Sequence, residues 1–480
     1  MLLELAEVRR GRCRGLVHRQ GCYASLRHRR HVPYDWSMCR DSSVLGKKSQ
    51  AAGPDLLPNT RLDRDQPSRD KLPPVRSRGG LTASSVLVDG LLVCAVLAAA
   101  LVPMFAWRYT WHVPIDLGVY RAGGDAVVHG KTLYEHAFGA HFNMPIRLPF
   151  TYPPFAAIVF IVLAIWPWRW AMIGWFVVSF LAFAYLVREG FAPLIARFRR
   201  HSVLVVACLC AVLLWIVSVT DTLWFGQVNL VLAAAVLFDL LRVRRGRGVL
   251  TGLATAIKIT PGLFIVYLFF SRQRRAAWRA LATLAVCWGG AALILPSASA
   301  KYFFHDAFKV SRPGPPGFFS NQTLDGFISR YHGPHWLWIP VGLMVGAYGL
   351  WRARRAHEAG DELTAIVLVG LTTLLIAPIS WFAAGVWIVP VIGLVLGDAS
   401  SRRRVVWAAV VFALFCARLP MLGEKVVRVW QTPVIGHILE SAYVYVYAAL
   451  LWFLPIRSAQ QRDEPTAGQG QSMTAITSPS

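Results

Sequence analysis

Charged residues are scarce in this 480-residue sequence, where Asp, Glu, Lys and Arg together make up 16%. Soluble domains carry about 25% of such residues. Hydrophobic residues reach 55%, the mean hydropathy is +0.46 and there are 19 Trp residues. These values exclude a single water-soluble domain, a disordered chain and a collagen-like chain. Because apolar runs of membrane-spanning length recur from about residue 85 to residue 455, we predict an all-α polytopic membrane protein.

Several chemical signatures are also missing. The sequence has no Walker phosphate-binding loop, no GxGxxG turn after a strand, no HExxH pair and no DxD motif suited to holding a metal with a nucleotide sugar. The eight Cys residues include no CxxC pair, so we interpret them as reduced thiols. We therefore expect no metal, no cofactor and no nucleotide-driven pumping, and any activated substrate must arrive on a carrier.

Basic residues outnumber acidic ones by 50 to 25, which in a soluble chain would suggest a nucleic-acid partner. Here they concentrate in the N-terminal segment and in the short connections between apolar runs, a placement typical of membrane topology. We therefore expect these charges to meet the lipid bilayer and no nucleic acid.

The chain divides into three predicted parts. Residues 1–84 form a basic leader without helical periodicity, which we predict to be disordered and cytoplasmic, or to result from a start codon assigned too far upstream. Residues 85–456 form the transmembrane domain, and residues 457–480 form a polar, disordered cytoplasmic tail. The basic flank before the first apolar run predicts a cytoplasmic N-terminal side, so the long loops 108–151 and 297–335 fall outside.

Two crossing numbers fit the apolar runs. Twelve spans use every run at full length, but they place the basic stretches 197–200 and 242–247 outside, against the positive-inside tendency. Ten crossings keep these stretches inside. In that alternative, residues 152–187 cross once, and residues 249–270, interrupted by a lysine and a proline, enter the membrane and return on the same side.

Asp116 is the first candidate for a chemical role, because it closely follows the first apolar run and lies near the membrane surface. A carboxylate there can accept the proton of an attacking hydroxyl if the geometry brings the two within hydrogen-bond reach. The alternative is a surface or capping Asp that opens a short amphipathic helix.

Polar residues also interrupt the apolar runs further along the chain. Gln227 and Asn229 open one run, and Lys258 lies within another, where an amide or ammonium needs a partner or a wet cavity. For Lys258 we favour pairing with an anionic lipid phosphate over extension of the side chain to the interface. Tyr152, at an aromatic-proline entry to its run, is more typical of an interfacial anchor than of a catalyst.

The second outer loop gathers two amides, a guanidinium and an imidazole in Asn321, Gln322, Arg330 and His332. The guanidinium of Arg330 matches the geometry of a phosphate. The same side chains are equally typical of loop caps and solvated charges.

Several short motifs, taken in order over residues 85–455, resemble those of glycosyltransferase family 87. They are Asp116-Leu117-Gly118-Val119-Tyr120 with Gly130 and Leu133-Tyr134, Thr151-Tyr152-Pro153-Pro154, Gly226-Gln227-Val228-Asn229, Ala256-Ile257-Lys258-Ile259-Thr260-Pro261 and Asn321-Gln322-Thr323. The family comprises polyprenyl-phosphate-mannose-dependent mannosyltransferases with the GT-C membrane fold. The resemblance implies a multi-pass enzyme of the bacterial plasma membrane with about 10–12 transmembrane helices and an extracytoplasmic active site.

By that resemblance, the enzyme moves mannose from a polyprenyl-phosphate-mannose donor to a mannolipid or lipoglycan acceptor, with inversion and an α-linked product. Asp116 matches the family's acidic residue in the first outer loop, to which the base role belongs. Donor phosphate or sugar is expected to contact Lys258, Asn321, Gln322 and Arg330. The other candidate substrate-binding residues are Tyr120, Tyr152, Gln227, Asn229 and His332.

Within the family, the sequence looks most similar to the α-(1→2)-mannosyltransferases of lipomannan and lipoarabinomannan synthesis. One segment departs from the pattern, because Phe382-Ala383-Ala384 stands where many similar members carry an acidic residue or a His pair. This departure favours a different acceptor or weakened catalysis. Two other hypotheses also fit broken helices with polar groups: a lipid or solute transporter, and a non-catalytic subunit of an envelope-synthesis complex. The two long polar loops favour the enzyme.

Overall fold

The computed structural model of the protein describes residues 90–101, 114–134, 148–309 and 312–457. The predicted leader, and the predicted tail beyond its first residue, lie outside the described residues. Throughout the described ranges the chain is helical and contains no strand, in agreement with the predicted all-α class.

The helices are numbered in chain order. The first nine are α1 (Gly90–Leu101), α2 (Ile115–Val128), α3 (Pro154–Val159), α4 (Ile161–Ile165), α5 (Trp168–Gly190), α6 (Ala192–Arg197), α7 (Ser202–Leu213), α8 (Val217–Phe225) and α9 (Asn229–Leu241). The next six are α10 (Val249–Ile257), α11 (Gly262–Phe270), α12 (Arg274–Ile294), α13 (Pro296–Phe304), α14 (Leu324–Arg330) and α15 (Trp338–Glu358). The last six are α16 (Glu362–Ile376), α17 (Ile388–Leu396), α18 (Arg402–Cys416), α19 (Leu419–Trp430), α20 (Pro433–Glu440) and α21 (Ala442–Phe453). A 3₁₀ segment, Phe382–Trp387, precedes α17.

Two of the described helices, α5 and α12, are long and apolar enough to cross a membrane by themselves. The count rises to five if three bent pairs each form one span: α7 with α8 (88°), α18 with α19 (45°) and α20 with α21 (48°). Five further apolar stretches are 10–17 residues long, among them α9 and α16. The described helices are therefore those of a membrane protein, but many are shorter than one full crossing.

The centre of the hydrophobic core lies in α16 and α17. Apolar side chains of both helices are fully buried: Ala365, Ile366, Val367, Leu368, Val369, Leu371, Ile388, Val389 and Val391. Helices α9 and α15 pack against α16, so this helix is enclosed by protein. Residues near the end of α16, Thr373 and Leu374, also line the cavity of the candidate site.

Basic side chains gather at one end of the helical assembly, which we call the basic end. Arg242 forms an ion pair with the buried Glu189 (2.6 Å), and Arg197 donates to the Asp398 carbonyl (2.7 Å). Arg457 donates to a carbonyl of α17 (2.7 Å). Both basic stretches whose placement decided between ten and twelve crossings therefore lie at the same end.

A cavity lies at the other end of α9 and α16. Helix α9 starts at Asn229, which lines the cavity, and ends beside Arg242 at the basic end. Helix α16 runs the opposite way: it begins after Asp361, which accepts from the Arg457 N–H (3.0 Å), and Thr373 near its end lines the cavity. With 13 residues in α9, a rise of 1.5 Å per residue places the cavity about 20 Å from the basic end.

Helices α10 and α11 form a hairpin between the two ends. Before α10, the Gly248 N–H donates to the buried Asp239 carboxylate (2.9 Å), and within α11 the Tyr267 hydroxyl donates to Glu362 (3.5 Å). Between the helices the backbone is extended at Lys258, which lines the cavity. Both ends of the segment thus lie near the basic end, and its tip reaches the cavity.

Helices α3 and α4 stay close to α2. The Tyr120 ring stacks on Phe160 with centroids 4.5 Å apart, and Arg121 donates to the Ala164 carbonyl (3.4 Å). It is the following helix, α5, that runs to the basic end, where Glu189 lies in its last turn. The first apolar run after the outer loop is therefore a pair of short helices packed on α2.

Candidate active site

Helix α2 carries Asp116 into the cavity. Pro114 precedes the helix, and Asp116 lies in its first turn, where the positive end of the helix dipole favours a carboxylate. At Gly124 the helix approaches α3 so closely that a Cβ would lie 2.4 Å from the Phe160 carbonyl oxygen. The absence of a side chain there lets α2 pack tightly against α3 while Asp116 faces the cavity.

Gly226 brings a second functional side chain to Asp116. It ends α8 in the left-handed conformation (φ +69°), and a Cβ here would lie 2.7 Å from the Leu117 Cβ. A glycine is thus required both by the turn and by the close contact with α2. The next residue, Gln227, donates from Nε2 to the Asp116 Oδ2 (3.1 Å).

Asp116 is one end of a chain of three hydrogen bonds. Beyond Gln227, Asn229 Nδ2 donates to the Gln227 Oε1 (2.7 Å), and Lys258 Nζ donates to the Asn229 Oδ1 (2.7 Å). Asn229 also donates to the Ala383 carbonyl (2.9 Å). The chain joins the outer-loop helix, the start of α9 and the tip of the α10–α11 hairpin, so a carboxylate and an ammonium share one network.

These side chains line a cavity of about 340 Å³, within the range of about 300–1,000 Å³ usual for small-molecule sites. Its apolar wall includes Leu232, Ala233, Val236, Phe264, Leu374 and Trp387. Its polar wall includes Asp116, Thr151, Tyr152, Gln227, Asn229, Lys258, Thr260, Asp306, Lys309, Arg312, Thr373 and Ser380. An apolar wall beside a charged one suits a ligand that carries both a hydrocarbon part and a polar head.

Burial determines the protonation of Asp116, which lies in the long segment 108–151 after the first apolar run. Burial raises the pKa of the Asp116 carboxyl from its usual value to about 6, while the hydrogen bond from Gln227 and the charge of Lys258 lower it by less. A carboxyl group with this pKa is ionised at neutral pH and still basic enough to take a proton, which suits a general base.

Tyr152 forms part of the cavity wall near Asp116, and two other tyrosines contact it. The hydroxyls of Tyr120 and Tyr152 share a hydrogen bond (2.8 Å), and the Tyr134 hydroxyl donates to the Tyr152 carbonyl (2.9 Å). The Lys258 Nζ lies 5.6 Å from the centroid of the Tyr152 ring, within cation–π range. Tyr152 lines the cavity, whereas Tyr120 is fully buried behind it. The contacts of Tyr120 therefore indicate that it supports the wall.

Sequence reasoning missed three charged residues of the second outer loop that line the same cavity: Asp306, Lys309 and Arg312. Arg312 pairs with Asp306 (3.3 Å), covers the Tyr134 ring (5.1 Å) and donates to the Phe150 carbonyl (3.2 Å). The two long loops, 108–151 and 297–335, therefore contact each other at the cavity. The sequence did contain a signal: three charged residues lie close together in loop 297–335, which was predicted to lie on the same side of the membrane as loop 108–151.

The two amides of the second outer loop do not line the cavity. Asn321 and Gln322 are buried, and both bind backbone groups. The Asn321 Oδ1 accepts from the Ser380 N–H (2.9 Å), and the Gln322 Nε2 donates to the Glu440 carbonyl (2.7 Å). Their predicted role in binding substrate stays a prediction, and these contacts indicate that they tie the loop to the segment after α16 and to the end of α20.

Arg330 and His332 also lie away from the cavity lining. Arg330 is buried and donates to the Ser441 hydroxyl (3.0 Å) and the Asn321 carbonyl (2.8 Å), and burial lowers its pKa to about 10. His332 is exposed in the turn after α14, with a φ of +54°. The guanidinium that lines the cavity is that of Arg312, so the phosphate contact predicted for Arg330 fits Arg312 better.

The 3₁₀ segment Phe382–Trp387, where the sequence departs from the family pattern, supports the network through its backbone. The Ala383 carbonyl accepts from the Thr222 hydroxyl (2.8 Å) and from Asn229 (2.9 Å). The small side chain of Ala384 lines the cavity. In place of an acidic residue or a His pair, this segment therefore contributes a carbonyl acceptor.

Two other features concern metal and thiol chemistry. Across the described ranges, no group of three or more His, Cys, Asp or Glu side chains is placed to hold one metal ion. The cysteines in these ranges, Cys94, Cys208, Cys210, Cys287 and Cys416, are free thiols.

Comparisons with known proteins bear on the identity of this site. The model of glycosyltransferase family 87 matches residues 150–378. A Mycobacterium tuberculosis protein named polyprenol-phosphate-mannose-dependent alpha-(1-2)-phosphatidylinositol mannoside mannosyltransferase is 32% identical over 335 residues, which cover 64% of this chain and 76% of that protein.

A second relative comes from Mycolicibacterium smegmatis. It is named polyprenol-phosphate-mannose-dependent alpha-(1-2)-phosphatidylinositol pentamannoside mannosyltransferase and is 32% identical over 383 residues, which cover 76% of this chain and 89% of that protein. No solved structure matches the chain significantly. The matches confirm the resemblance seen in the sequence motifs, and the chain belongs to glycosyltransferase family 87.

Proposed function

We propose that this protein is a polyprenyl-phosphate-mannose-dependent α-mannosyltransferase that acts on a mannolipid. The names of its mycobacterial relatives specify this donor and an α-(1→2) transfer to phosphatidylinositol mannosides. The observation that carries the proposal is the Asp116 carboxylate, which binds Gln227 and faces a cavity lined also by Lys258 and Arg312. One base and two cations around a single cavity meet the demands of glycosyl transfer from a lipid phosphate.

In the proposed reaction, an acceptor hydroxyl oxygen attacks the anomeric carbon of the donor mannose. The new carbon–oxygen bond forms as the bond from the anomeric carbon to the phosphate oxygen breaks, and the hydroxyl proton passes to Asp116. Polyprenyl phosphate leaves with the electron pair, and its charge is stabilised by Lys258 and Arg312. Attack opposite the leaving group inverts the anomeric carbon, so a β-linked donor gives an α-linked product.

The proposed acceptor is a phosphatidylinositol mannoside or a related mannolipid, and the proposed linkage is α-(1→2). In this proposal both substrates meet at the cavity, where the apolar wall contacts the lipid of the donor and the polar wall contacts sugar and phosphate. The acceptor hydroxyl must then enter on the side of Asp116.

The proposal includes a topology in which the catalytic domain, residues 85–456, crosses the bacterial plasma membrane ten times. The cavity then lies on the extracytoplasmic side and the basic end in the cytoplasm, as the positive-inside tendency requires. Support comes from the α10–α11 hairpin and from the packing of α3 and α4 on α2. The proposed crossings are α1, α5, α7 with α8, α9, α12, α15, α16, the 3₁₀ segment with α17, α18, and α21.

Incubation of the purified protein with synthetic polyprenyl-phosphate-mannose and a phosphatidylinositol mannoside tests the reaction. We expect a product that is one mannose longer, an equal amount of polyprenyl phosphate, and an α-(1→2) bond on linkage analysis. Nucleotide-linked mannose is the control donor and should give no product. Failure of the lipid donor with every mannosyl acceptor would contradict the proposed donor.

Labelling of single cysteines in whole cells tests the topology. A cysteine at Lys131, in the outer loop, should react with a membrane-impermeant maleimide, and a cysteine at Arg244, beside the basic end, should react only after lysis. Labelling of both in intact cells would contradict the ten-crossing arrangement.

A further inference from the structure

Asn229 is a buried amide whose partners allow only one orientation. The Lys258 ammonium can only donate, and it lies 2.7 Å from the Asn229 Oδ1. The Ala383 backbone carbonyl can only accept, and it lies 2.9 Å from Nδ2. The oxygen must therefore face Lys258 and the nitrogen must face Ala383, since the reversed amide would lose both hydrogen bonds.

The orientation of Asn229 in turn determines that of Gln227. The second N–H of the Asn229 amide points at the Gln227 side chain, 2.7 Å away, so the atom that receives it must be the Gln227 oxygen. The Gln227 nitrogen then faces the Asp116 carboxylate at 3.1 Å. With the amide reversed, two oxygens would face each other at this distance, which is electrostatically unfavourable.

We propose that Asn229 is a positioning residue that fixes the Gln227 amide so that its N–H, and not its oxygen, meets the Asp116 carboxylate. This inference rests on the proposed function, because it assigns a residue that acts on the base of that reaction. Asn229 acts through Gln227, and its own hydrogen bonds are directed to protein groups. The Lys258 ammonium and the Ala383 carbonyl fix the orientation of the Asn229 amide. That amide fixes the orientation of the Gln227 amide, which donates to the base.

The consequence of this arrangement is measurable. A hydrogen bond donated to a carboxylate stabilises its ionised form, and removing it favours the protonated form. Loss of one such bond should move the acid limb of the pH profile of kcat/KM upward by about one pH unit, equal to a tenfold loss of activity below the limb. A residue with a purely structural role would lower the amount of folded enzyme and leave the limb where it is.

Other titratable groups line the cavity that Asp116 faces or lie behind its wall. They are Tyr120 of α2, Tyr152 before α3, Lys258 of the hairpin tip, Tyr302 of α13, and Asp306, Lys309 and Arg312 of the second outer loop. Substituting Asn229 alone also alters Lys258, so one variant mixes several effects. A double-mutant cycle removes this difficulty, because contributions that do not pass through Gln227 cancel.

The experiment measures the acid limb of kcat/KM for the lipid donor in wild type, Asn229→Ala, Gln227→Ala and the double variant. We expect Asn229→Ala and Gln227→Ala each to move the limb upward by about one pH unit, and the double variant to move it by clearly less than the sum of the two single shifts. Independent shifts that add in the double variant, or an unmoved limb in Asn229→Ala, would overturn the positioning role.

Three further variants serve as controls for misfolding, for a purely structural effect and for the base assignment. Asn229→Asp keeps the shape and the contact to Lys258 but loses both donors, so its cycle with Gln227→Ala decides the question if Asn229→Ala does not fold. Thr222→Val removes the other side-chain hydrogen bond to the Ala383 carbonyl and should lower thermal stability without moving the limb. Asp116→Asn separates failure of the base assignment from failure of the positioning role. If this variant retains transfer, Asp116 is not the base. If it loses transfer but the shifts of Asn229→Ala and Gln227→Ala add in the double variant, only the positioning role of Asn229 fails.

Discussion

The Gln227 amide and the Asp116 carboxylate, 111 residues apart in the chain, meet at 3.1 Å. The contact depends on Gly226, whose left-handed backbone and missing side chain let the end of α8 approach α2. The environment of the proposed base is therefore set by a tertiary contact between two helices and not by the residues around it in sequence.

Gly226→Ala should reduce transfer at least tenfold, because a Cβ 2.7 Å from the Leu117 Cβ pushes Gln227 away from Asp116. Gly130→Ala is the matched control. Gly130 also has a positive φ (+61°), but its Cβ would enter open space, so this variant carries only the backbone strain of about 1 kcal/mol. Initial rates and thermal unfolding of the two variants separate strain from displacement. Equal loss of activity in both would mean that the contact with Leu117 is unimportant.

The pH dependence of transfer should follow the Asp116 carboxyl. Its pKa is raised to about 6, and the base acts in its ionised form, so kcat/KM should fall tenfold per pH unit below this pH. In Lys258→Ala the limb should lie higher, because the positive charge of Lys258 lowers the pKa of Asp116. A pH–rate profile of both enzymes checks this. A profile that is flat down to pH 4 would rule out Asp116 as the titrating base.

Lys258→Ala should weaken use of the donor by about 10- to 100-fold in kcat/KM while the KM for the acceptor changes little, because a charge-assisted contact to the departing phosphate is lost. Lys131→Ala is the control, since Lys131 pairs with Asp125 at the surface (2.9 Å). Steady-state kinetics with each substrate varied in turn give both constants. A selective rise in the acceptor KM would place Lys258 on the acceptor side.

Arg330→Ala should lower the free energy of unfolding by about 3 kcal/mol, because the Ser441 hydroxyl and the Asn321 carbonyl lose a buried partner. The donor KM of the folded fraction should stay within about twofold of wild type. Arg312→Ala should show the opposite pattern, with a raised donor KM and a smaller loss of stability. Thermal unfolding in detergent together with donor titrations distinguishes the two. Wild-type stability with a raised KM in Arg330→Ala would restore it as a substrate ligand.

The sequence was sufficient to predict the helical membrane class and one side of the site. Asp116, Gln227, Asn229 and Lys258 were each recognised because a polar group at the edge of an apolar run or within it needs a polar partner, and here they are one another's partners. Their order in the network, and the dependence on a carbonyl at Ala383, could not be predicted. Those features depend on how α2, α9 and the hairpin pack.

The residues of the second loop that line the cavity could not be predicted from the sequence, for two physical reasons. Buried amides and guanidinium groups that brace a loop are composed of the same residue types as those that bind substrate, so Asn321 and Arg330 could not be separated from ligands by sequence alone. Arg312 was missed because a charged loop residue has no periodic pattern to set it apart. Its position became visible only through its contact with the Tyr134 ring across the two loops.

The length of an apolar run also does not show how the run folds. The run that begins after Tyr152 is apolar enough to suggest a span, but it folds as two short helices between Pro154 and Ile165. Their packing on α2 is fixed by the close approach at Gly124 and by the Tyr120–Phe160 stack, neither of which hydropathy can report.

The most direct test of the central claim is mannose transfer by Asp116→Asn beside Asp125→Asn, two isosteric changes on the same helix. Asp125 forms a surface ion pair with Lys131, whereas Asp116 faces the cavity. We predict that Asp116→Asn expresses normally and loses about 10²–10⁴-fold in kcat, as expected when a general base is removed, and that Asp125→Asn stays close to wild type. Near-normal turnover by Asp116→Asn would contradict the assignment of Asp116 as the base.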